Sequence, residues 1–235
     1  MKHQNNIAQV AALQPDYLGF IFYEKSPRCF DGSFPELPKS IKKVGVFVGA
    51  SLDFILDKIK KYELDVIQLH GQETPEFCRK LQRHYEKYQF ERSRELSDEV
   101  TSSDKKDCHG FQRKSRNDKK LEIIKVFSIK APFNFDVLKD FETVCDYYLF
   151  DTKGPLPGGN GYTFDWDVLK NYPSTKPYFL SGGIGQNEIN KLKEFKKSDA
   201  SKYCFAIDVN SKFETEPGIK KVKDLEEFKY EIINH

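Results

Sequence analysis

The chain has 235 residues, of which 38% are hydrophobic and 31% are charged. This length suits one α/β barrel, for which about 250 residues is typical, and the 20 Phe and 12 Tyr residues exclude a disordered chain. The 38 basic residues nearly balance the 36 acidic ones, so charge gives no argument for a nucleic-acid or membrane partner. No apolar run approaches the roughly 18 residues that span a bilayer, and Met1–Asn6 lack the apolar core of a signal peptide.

Cysteine usage indicates a reducing compartment. The five cysteines are scattered without CxxC spacing: Cys29, Cys78, Cys108, Cys145 and Cys204. Such a set is typical of free thiols rather than of a disulfide framework or a zinc site. We therefore expect a cytoplasmic protein without a bound metal.

Apolar runs alternate with amphipathic stretches along the chain. In chain order they predict a helix over Asn5–Gln14, strands over Tyr17–Phe22 and Lys43–Val48, a helix over Ser51–Tyr62, a strand over Asp65–His70, a helix over Pro75–Tyr85, a strand over Glu122–Ser128, a helix near Asn134–Phe141, a strand over Asp146–Asp151, a helix near Asp165–Tyr172, a strand over Pro177–Ser181, a helix near Asn187–Lys197, a strand over Cys204–Asp208 and a helix over Val222–Ile233. This alternation is typical of parallel β-α units, because each crossover helix covers a face of the sheet. We expect one α/β domain over residues 1–235, a barrel of seven strands and about eight helices. A closed eight-stranded barrel would need one more strand before Gln4.

Residues 86–120 interrupt the alternation, because Lys, Arg, Glu, Asp and Ser dominate there. A helix-to-strand connection is normally about 2–6 residues long. We therefore interpret this segment as a charged, flexible insertion within the barrel. A basic binding arm is the alternative, which the interleaved acidic residues weaken.

Polar residues follow the predicted strands, where a barrel of parallel β-α units carries its chemistry. Three of these loops are rich in glycine or small polar residues: Gly158–Gly161, Ser181–Gly185 and Asp208–Glu214. Glycines also serve tight turns, but three such loops in successive units favour a phosphate site built from backbone N–H groups.

Four side chains at the strand ends are candidates for chemistry. Asp151 either points into the barrel mouth or orders a loop, and Arg28 either lies on the surface or holds a substrate carboxylate in a bidentate pair. His70 is interpreted as a hydrogen-bonded residue of the rim, and Asp208 as a residue that orders the phosphate loops. No His/Cys/Asp cluster in the sequence indicates a metal.

Several motifs resemble those of the phosphoribosylanthranilate isomerases. The matching strings are Gly19–Arg28, Val44–Val48, Gln68–Gly71, Phe150–Asp151, Gly158–Trp166, Ser181–Ile184 and Asp208–Glu214 with Pro217-Gly218. They run in order along the whole chain except for the charged insertion. The combination of Gln-Leu-His-Gly with Gly-Gly-x-Gly-x-x-Phe-Asp-Trp is highly specific.

The resemblance implies an eightfold β/α (TIM) barrel that acts in tryptophan biosynthesis. Its substrate, a small phosphorylated molecule, is N-(5-phosphoribosyl)anthranilate, and an Amadori rearrangement without a cofactor gives 1-(2-carboxyphenylamino)-1-deoxyribulose 5-phosphate. Asp151 matches the general acid and Arg28 the residue that binds the anthranilate carboxylate. The phosphate loops match Gly159, Gly161, Gly182, Gly183, Asn210 and Ser211, and we place His70 and Asp208 among the substrate-binding residues. We expect a monomer or a homodimer, without nucleic-acid or membrane partners.

One family motif is missing from the sequence. The family's general base is a cysteine in a Lys-x-Cys-Gly motif at the end of its first strand, whereas this sequence opens with Met1-Lys2-His3. Cys29 is interpreted as a loop cysteine unrelated to catalysis. Two explanations stay open: a start assigned too late for an ordinary active isomerase, or a seven-stranded, catalytically inactive barrel that only binds phosphorylated ligands. In the given form we expect poor stability and little turnover.

Overall fold

A computed structural model describes residues 1–103, 120–130, 132–152 and 163–234. Its helices and strands are α1 (Gln4–Ala12), β1 (Tyr17–Ile21), β2 (Lys42–Phe47), α2 (Leu52–Tyr62), β3 (Val66–Leu69), α3 (Pro75–Ser103), β4 (Glu122–Ile129), β5 (Tyr147–Thr152), β6 (Tyr178–Leu180), α4 (Ile189–Lys196), β7 (Cys204–Ile207), β8 (Glu214–Glu216), β9 (Ile219–Lys220) and α5 (Val222–Ile233). Short 3₁₀ helices cover Phe135–Phe141, Trp166–Asn171, Gln186–Glu188, Asp199–Ser201 and Ser211–Phe213. None of the described helices is both long and apolar enough to cross a membrane.

The first seven strands form one parallel sheet in sequence order, from β1 to β7. The register places Gly19 beside Val44 and Phe150 beside Leu180. Parallel neighbours require crossover connections. Helices provide them between the later strands, whereas residues 22–41, which connect β1 to β2, contain no helix. All seven predicted strands and the α/β class are therefore confirmed.

Two apolar layers fill the fold, one on each face of the sheet. Alternate residues of β5 separate onto them: Leu149 lies in a small cluster on the inner face, whereas Tyr148 and Phe150 pack in the larger cluster under the helices. Buried parallel strands read as continuous apolar runs for this reason. Within the inner cluster the sheet curls until Tyr17 of β1 meets Phe179 of β6 edge-on, with ring centroids 5.3 Å apart.

Helix α2 shows how the sequence sets the limits of an element. The Ser51 hydroxyl accepts a hydrogen bond from the Phe54 N–H at 3.3 Å, which caps the first turn. Ile55, Ile59 and Tyr62 lie on one face and are buried. The helix ends at Tyr62, and the capping residue Glu63 has a φ of 48°, in the left-handed region.

The edge of β1 that faces away from β2 carries backbone contacts from outside the sheet. The Met1 nitrogen lies 3.3 Å from the Gly19 carbonyl oxygen, and Phe30 N–H donates to the Ile21 carbonyl at 2.8 Å. Cys29 forms a parallel bridge with Ile21 at the same edge. Two of the carbonyls along this edge therefore have hydrogen-bond partners.

The structure differs from the sequence prediction at three places. Helix α3 continues to Ser103 rather than ending at Tyr85. The residues after Tyr85 are rich in Glu, Lys and Arg, which are good helix formers, and the segment up to Ser103 contains no Gly or Pro. The rest of the predicted insertion, residues 104–119, lies outside the described residues. The helices predicted near Asn134–Phe141 and Asp165–Tyr172 are 3₁₀ helices. An antiparallel hairpin of β8 and β9 was not predicted, since its strands have only three and two residues.

Candidate active site

The predicted site residues converge at the carboxyl ends of the parallel strands. Arg28 follows β1, His70 follows β3, Asp151 lies near the end of β5, and Asp208 follows β7. Parallel strands present these ends at one side of the sheet, so residues distant in sequence become neighbours.

Asp151 and His70 contact each other across this side. His70 Nε2 lies 3.4 Å from Asp151 Oδ2, and the Thr152 N–H donates to Asp151 Oδ1 at 2.8 Å. Asp151 is only 5% exposed. Gln68 Nε2 lies 3.4 Å from His70 Nδ1; when Gln68 donates to Nδ1, the neutral ring carries its proton on Nε2, facing Asp151. Both oxygens of the Asp151 carboxyl group therefore have a neighbouring polar group, His70 at Oδ2 and the Thr152 N–H at Oδ1.

Gly182 makes room for this carboxyl group. A Cβ atom at Gly182 would lie 2.8 Å from Asp151 Oδ1 and 2.5 Å from the Thr152 nitrogen, and its φ is +93°. Both the contact distances and the backbone conformation favour glycine here. The glycine at position 182 is therefore needed both for the turn of the Ser181-Gly-Gly motif and for the space that the Asp151 carboxyl group occupies.

Asp208 is a second carboxyl group on the same side. Ser181 Oγ donates to Asp208 Oδ2 at 2.9 Å. Burial raises the pKa of Asp208, the hydrogen bond from Ser181 opposes this, and the negative charge of Asp151 raises the pKa further. The two carboxyl groups are therefore electrostatically linked, in addition to the loop-ordering role predicted for Asp208.

Arg28 does not lie free on the surface. Its Nε and Nη2 lie 2.8 Å and 2.7 Å from Glu214 Oε2. Glu214 Oε1 in turn accepts from Lys220 Nζ at 3.0 Å. Hairpin β8–β9, to which Glu214 and Lys220 belong, is thus joined to the loop after β1.

A second buried ion pair underlies the loop that carries His70. Lys125 Nζ donates to Glu73 Oε2 at 3.0 Å and to the Gly71 carbonyl at 2.7 Å. Glu73 also accepts from the Gly49 N–H at 2.8 Å and the Gly71 N–H at 2.9 Å. Burial alone would raise the pKa of Glu73, but Lys125 and the Gly49 N–H hold this pKa below its usual value.

The predicted phosphate loops are described only in part. Gly182 and Gly183 have successive positive φ angles of 93° and 69°, and Ser211 begins a 3₁₀ helix that follows Asn210. The Asn210 side-chain oxygen accepts from Lys220 Nζ at 2.6 Å. Gly159 and Gly161 lie outside the described residues.

The cysteines of the described part of the chain are free thiols: Cys29, Cys78, Cys145 and Cys204. Burial raises the pKa of Cys78 to about 11 and the pKa values of Cys145 and Cys204 to about 12, so these three stay protonated near neutral pH. Among the described residues, no group of three His, Cys, Asp or Glu side chains is placed to hold a metal ion.

The sequence prediction missed the two ion pairs that support the site. Glu214 ends the matched string after β7, but it was not singled out, and Lys125 lies inside the apolar run of β4. A lysine within a buried strand is itself a signal, because a buried charge requires a partner.

The curled parallel sheet, with polar residues gathered at the carboxyl ends of its strands, defines the chain as a protein of the β/α-barrel class. The family model described as N-(5'-phosphoribosyl)anthranilate isomerase matches residues 1–111 and 108–230. The chain belongs to this family.

One relative agrees with this assignment, and two solved structures share the fold. The N-(5'-phosphoribosyl)anthranilate isomerase of Parabacteroides distasonis is 33% identical over 240 residues, which cover 100% of this chain and 91% of that protein. The fold is similar to that of phosphoribosyl anthranilate isomerase from Thermus thermophilus, with a TM-score of 0.71, 20% identity and coverage of 100% and 96% of the two chains. A solved phosphoribosyl anthranilate isomerase in complex with reduced 1-(o-carboxyphenylamino)-1-deoxyribulose 5-phosphate gives a TM-score of 0.64 at 21% identity, covering 99% and 95%.

Proposed function

We propose that this protein isomerises N-(5-phosphoribosyl)anthranilate to 1-(2-carboxyphenylamino)-1-deoxyribulose 5-phosphate in tryptophan biosynthesis, with Asp151 as the general acid. Membership of the isomerase family supports the reaction. The observation that carries the role of Asp151 is its buried carboxyl group at the end of β5, placed between His70 and Gly182.

The acid step needs one proton donor at the sugar ring. A protonated Asp151 would transfer its proton to the furanose ring oxygen while the bond from that oxygen to C1 breaks, which leaves a Schiff base. His70 on Oδ2 and the Thr152 N–H on Oδ1 fix the direction of the carboxyl group. Loss of the C2 proton then gives an enolamine, which tautomerises to the ketone.

The second proton transfer needs a base. In the family this is the cysteine of the Lys-x-Cys-Gly motif, which the 235 residues do not contain. The acid step is the one that we assign to a residue of this chain.

The substrate carries a negative group at each end, a phosphate and a carboxylate, and each requires its own binding site. We assign the phosphate to backbone N–H groups of Gly182, Gly183 and Ser211, supported by the consecutive left-handed glycines, together with Gly159 and Gly161. The anthranilate carboxylate is assigned to Arg28, whose planar guanidinium suits a bidentate contact.

The cellular setting follows from the same assignments. We place the protein in the cytoplasm because its described cysteines are free thiols. We expect it to act as a monomer or a homodimer, which light scattering distinguishes.

Replacement of Asp151 with Asn tests the proposed acid. All turnover measurements use a form of the protein extended by an N-terminal strand that carries the Lys-x-Cys-Gly motif, because little turnover is expected of the 235 residues alone. In that form the variant should bind the reduced product analogue named above as tightly as the unaltered protein, whereas its turnover should fall by about two to four decades. Asp167→Asn is the matched control, since Asp167 is an exposed aspartate that pairs only with Lys170 among the residues described. Near-normal turnover of Asp151→Asn would remove Asp151 from the mechanism, and binding without turnover by the unaltered protein would favour a barrel that only binds phosphorylated ligands.

Inorganic phosphate tests the phosphate assignment without turnover. At ten times its Kd, a ligand that binds only the folded state raises the free energy of unfolding by about 1.4 kcal/mol. Sodium chloride at equal ionic strength is the control. If these glycines only form turns, phosphate will raise the free energy of unfolding no more than sodium chloride does.

A further inference from the structure

Three charged side chains form a nearly buried cluster that the acid step does not use. The exposed fractions are 19% for the side chain of Arg28, 4% for Glu214 and 8% for Lys220. Buried charges are expensive unless they are paired. Within these three side chains one carboxylate faces two cations, and Lys220 also interacts with the carboxylate of Asp208.

The hydrogen bonds of Arg28 show which part of its guanidinium group is available to a ligand. Arg28 uses Nε and Nη2 toward Glu214 Oε2. A guanidinium group has five N–H donors in a planar fork, so this contact occupies one edge of the fork. Among the described residues, no hydrogen-bond partner lies on the edge formed by Nη1 and the second hydrogen of Nη2, so this edge can take a ligand. Glu214 therefore determines which edge of Arg28 a ligand can contact.

Glu214 itself does not compete with an anionic ligand. Its second oxygen accepts from Lys220 Nζ at 3.0 Å and from the Gly218 N–H at 3.2 Å. Burial would raise the pKa of Glu214, but the contacts with Arg28 and Lys220 keep that pKa below its usual value. The carboxylate is thus ionised near neutral pH and its oxygens are occupied by protein donors.

Lys220 joins this cluster to the predicted phosphate loop. Its Nζ also donates to the Asn210 carbonyl at 3.0 Å and to Asn210 Oδ1 at 2.6 Å. The Lys220 backbone is anchored to α1, because its N–H donates to Asn6 Oδ1 at 2.7 Å and its carbonyl accepts from Asn6 Nδ2 at 2.9 Å. Glu214 is therefore held from a fixed point of the fold.

We propose that Glu214 is a positioning residue that orients Arg28, so that the site prefers ligands with an aromatic carboxylate over ligands that lack it. Lys220 supports this role by holding Glu214 from its other side. The inference rests on the proposed function, because it takes Arg28 as the partner of the anthranilate carboxylate. It adds a reason why a carboxylate 186 residues away in sequence belongs to the same site.

Two ligands that differ by one group test the proposal. The first is the reduced product analogue, and the second is the same molecule with a phenyl ring in place of the carboxyphenyl ring. Calorimetry gives the Kd of each for the unaltered protein and for Glu214→Gln. A hydrogen bond to a charged group contributes about 1.5–3 kcal/mol, so we expect the unaltered protein to prefer the carboxylated ligand by at least about tenfold. In Glu214→Gln this preference should fall by about tenfold, while the Kd of the phenyl ligand stays the same.

The matched control is Glu216→Gln, which removes one negative charge from an exposed position of the same hairpin and should leave the preference unchanged. Unchanged preference in Glu214→Gln, or equal weakening of both ligands, would overturn the proposal. Binding of neither ligand by the unaltered protein would instead contradict the proposed function. Should Glu214→Gln fail to fold, Glu214→Asp shortens the side chain, withdraws it from Arg28 and gives the same comparison.

Discussion

His70 Nε2 and Asp151 Oδ2 lie 3.4 Å apart although their strands, β3 and β5, are separated in the sheet by β4. The contact forms because the sheet curls and both residues lie at the carboxyl ends of their strands. It gives Asp151 a neighbour that can donate a hydrogen bond to one of its oxygens.

Removal of the contact between His70 and Asp151 should reduce turnover without weakening the binding of ligand. We expect His70→Gln to lower kcat by about 10- to 100-fold, since removal of one hydrogen bond to a charged group costs about 1.5–3 kcal/mol. The double variant with Asp151→Asn should be little worse than Asp151→Asn alone, because the two residues act as a unit. His84→Gln, at an exposed position of α3, is the control. Additive effects in the double variant would show that the two side chains act independently.

Replacement of Gly182 with Ala should displace the Asp151 carboxyl group and reduce turnover. The new Cβ would lie 2.8 Å from Asp151 Oδ1 at a φ of +93°, so the carboxyl group or the loop must move. We expect turnover to fall by more than about tenfold, together with a loss of about 1–3 kcal/mol of stability. Gly49→Ala is a matched control, because Gly49 also has a positive φ, of 59°, but a Cβ there would meet nothing within 4 Å. Equal kinetic effects of both substitutions would argue against a contact with Asp151.

Removal of Lys125 should destabilise the protein strongly. Lys125→Met leaves the Glu73 carboxylate, with a side chain only 3% exposed, without its cation, and breaking a buried pair costs about 3–5 kcal/mol. The double variant Lys125→Met with Glu73→Met should recover part of that loss. Lys80→Met removes the exposed pair with Glu76 and should cost less than about 1 kcal/mol. Chemical denaturation measures all three, and a small effect of Lys125→Met would show that Glu73 finds other compensation.

Stability should depend on pH through Glu73. Its folded-state pKa is lowered, so its contribution is present above the unfolded value of 4.5 and is lost as the pH falls through the lower folded-state pKa. The difference in free energy of unfolding between the unaltered protein and Glu73→Gln should therefore shrink below pH 4.5. The raised pKa of Asp208 acts in the opposite direction, since protonation there relieves a buried charge. The comparison with Glu73→Gln cancels that contribution, and a constant difference across this range would contradict the ion pair.

Much of the fold could be read from local pattern. Strands such as Asp146–Asp151 and Pro177–Ser181 are short apolar runs bounded by polar residues, and burial on both faces of a parallel sheet produces that pattern directly. The position of Asp151 at the end of one such run made it a candidate, and the resemblance to the isomerases assigned it as the general acid. The length of α3 was not predicted, because the sequence after Tyr85 carries only isolated apolar residues. Helix propensity extends the helix there, with a few contacts such as Tyr88 against the core and Arg92 with Glu63.

Only the tertiary structure decided how the charged residues pair. Nothing in the sequence connects Arg28 with Glu214 or Lys125 with Glu73, which lie 186 and 52 residues apart. Hydrophobic patterning acts over neighbouring positions and specifies which face of an element is buried. The partner of a buried charge depends instead on which strand ends and loops the curled sheet brings within about 3 Å of each other, and a local sequence pattern carries no information about that distance.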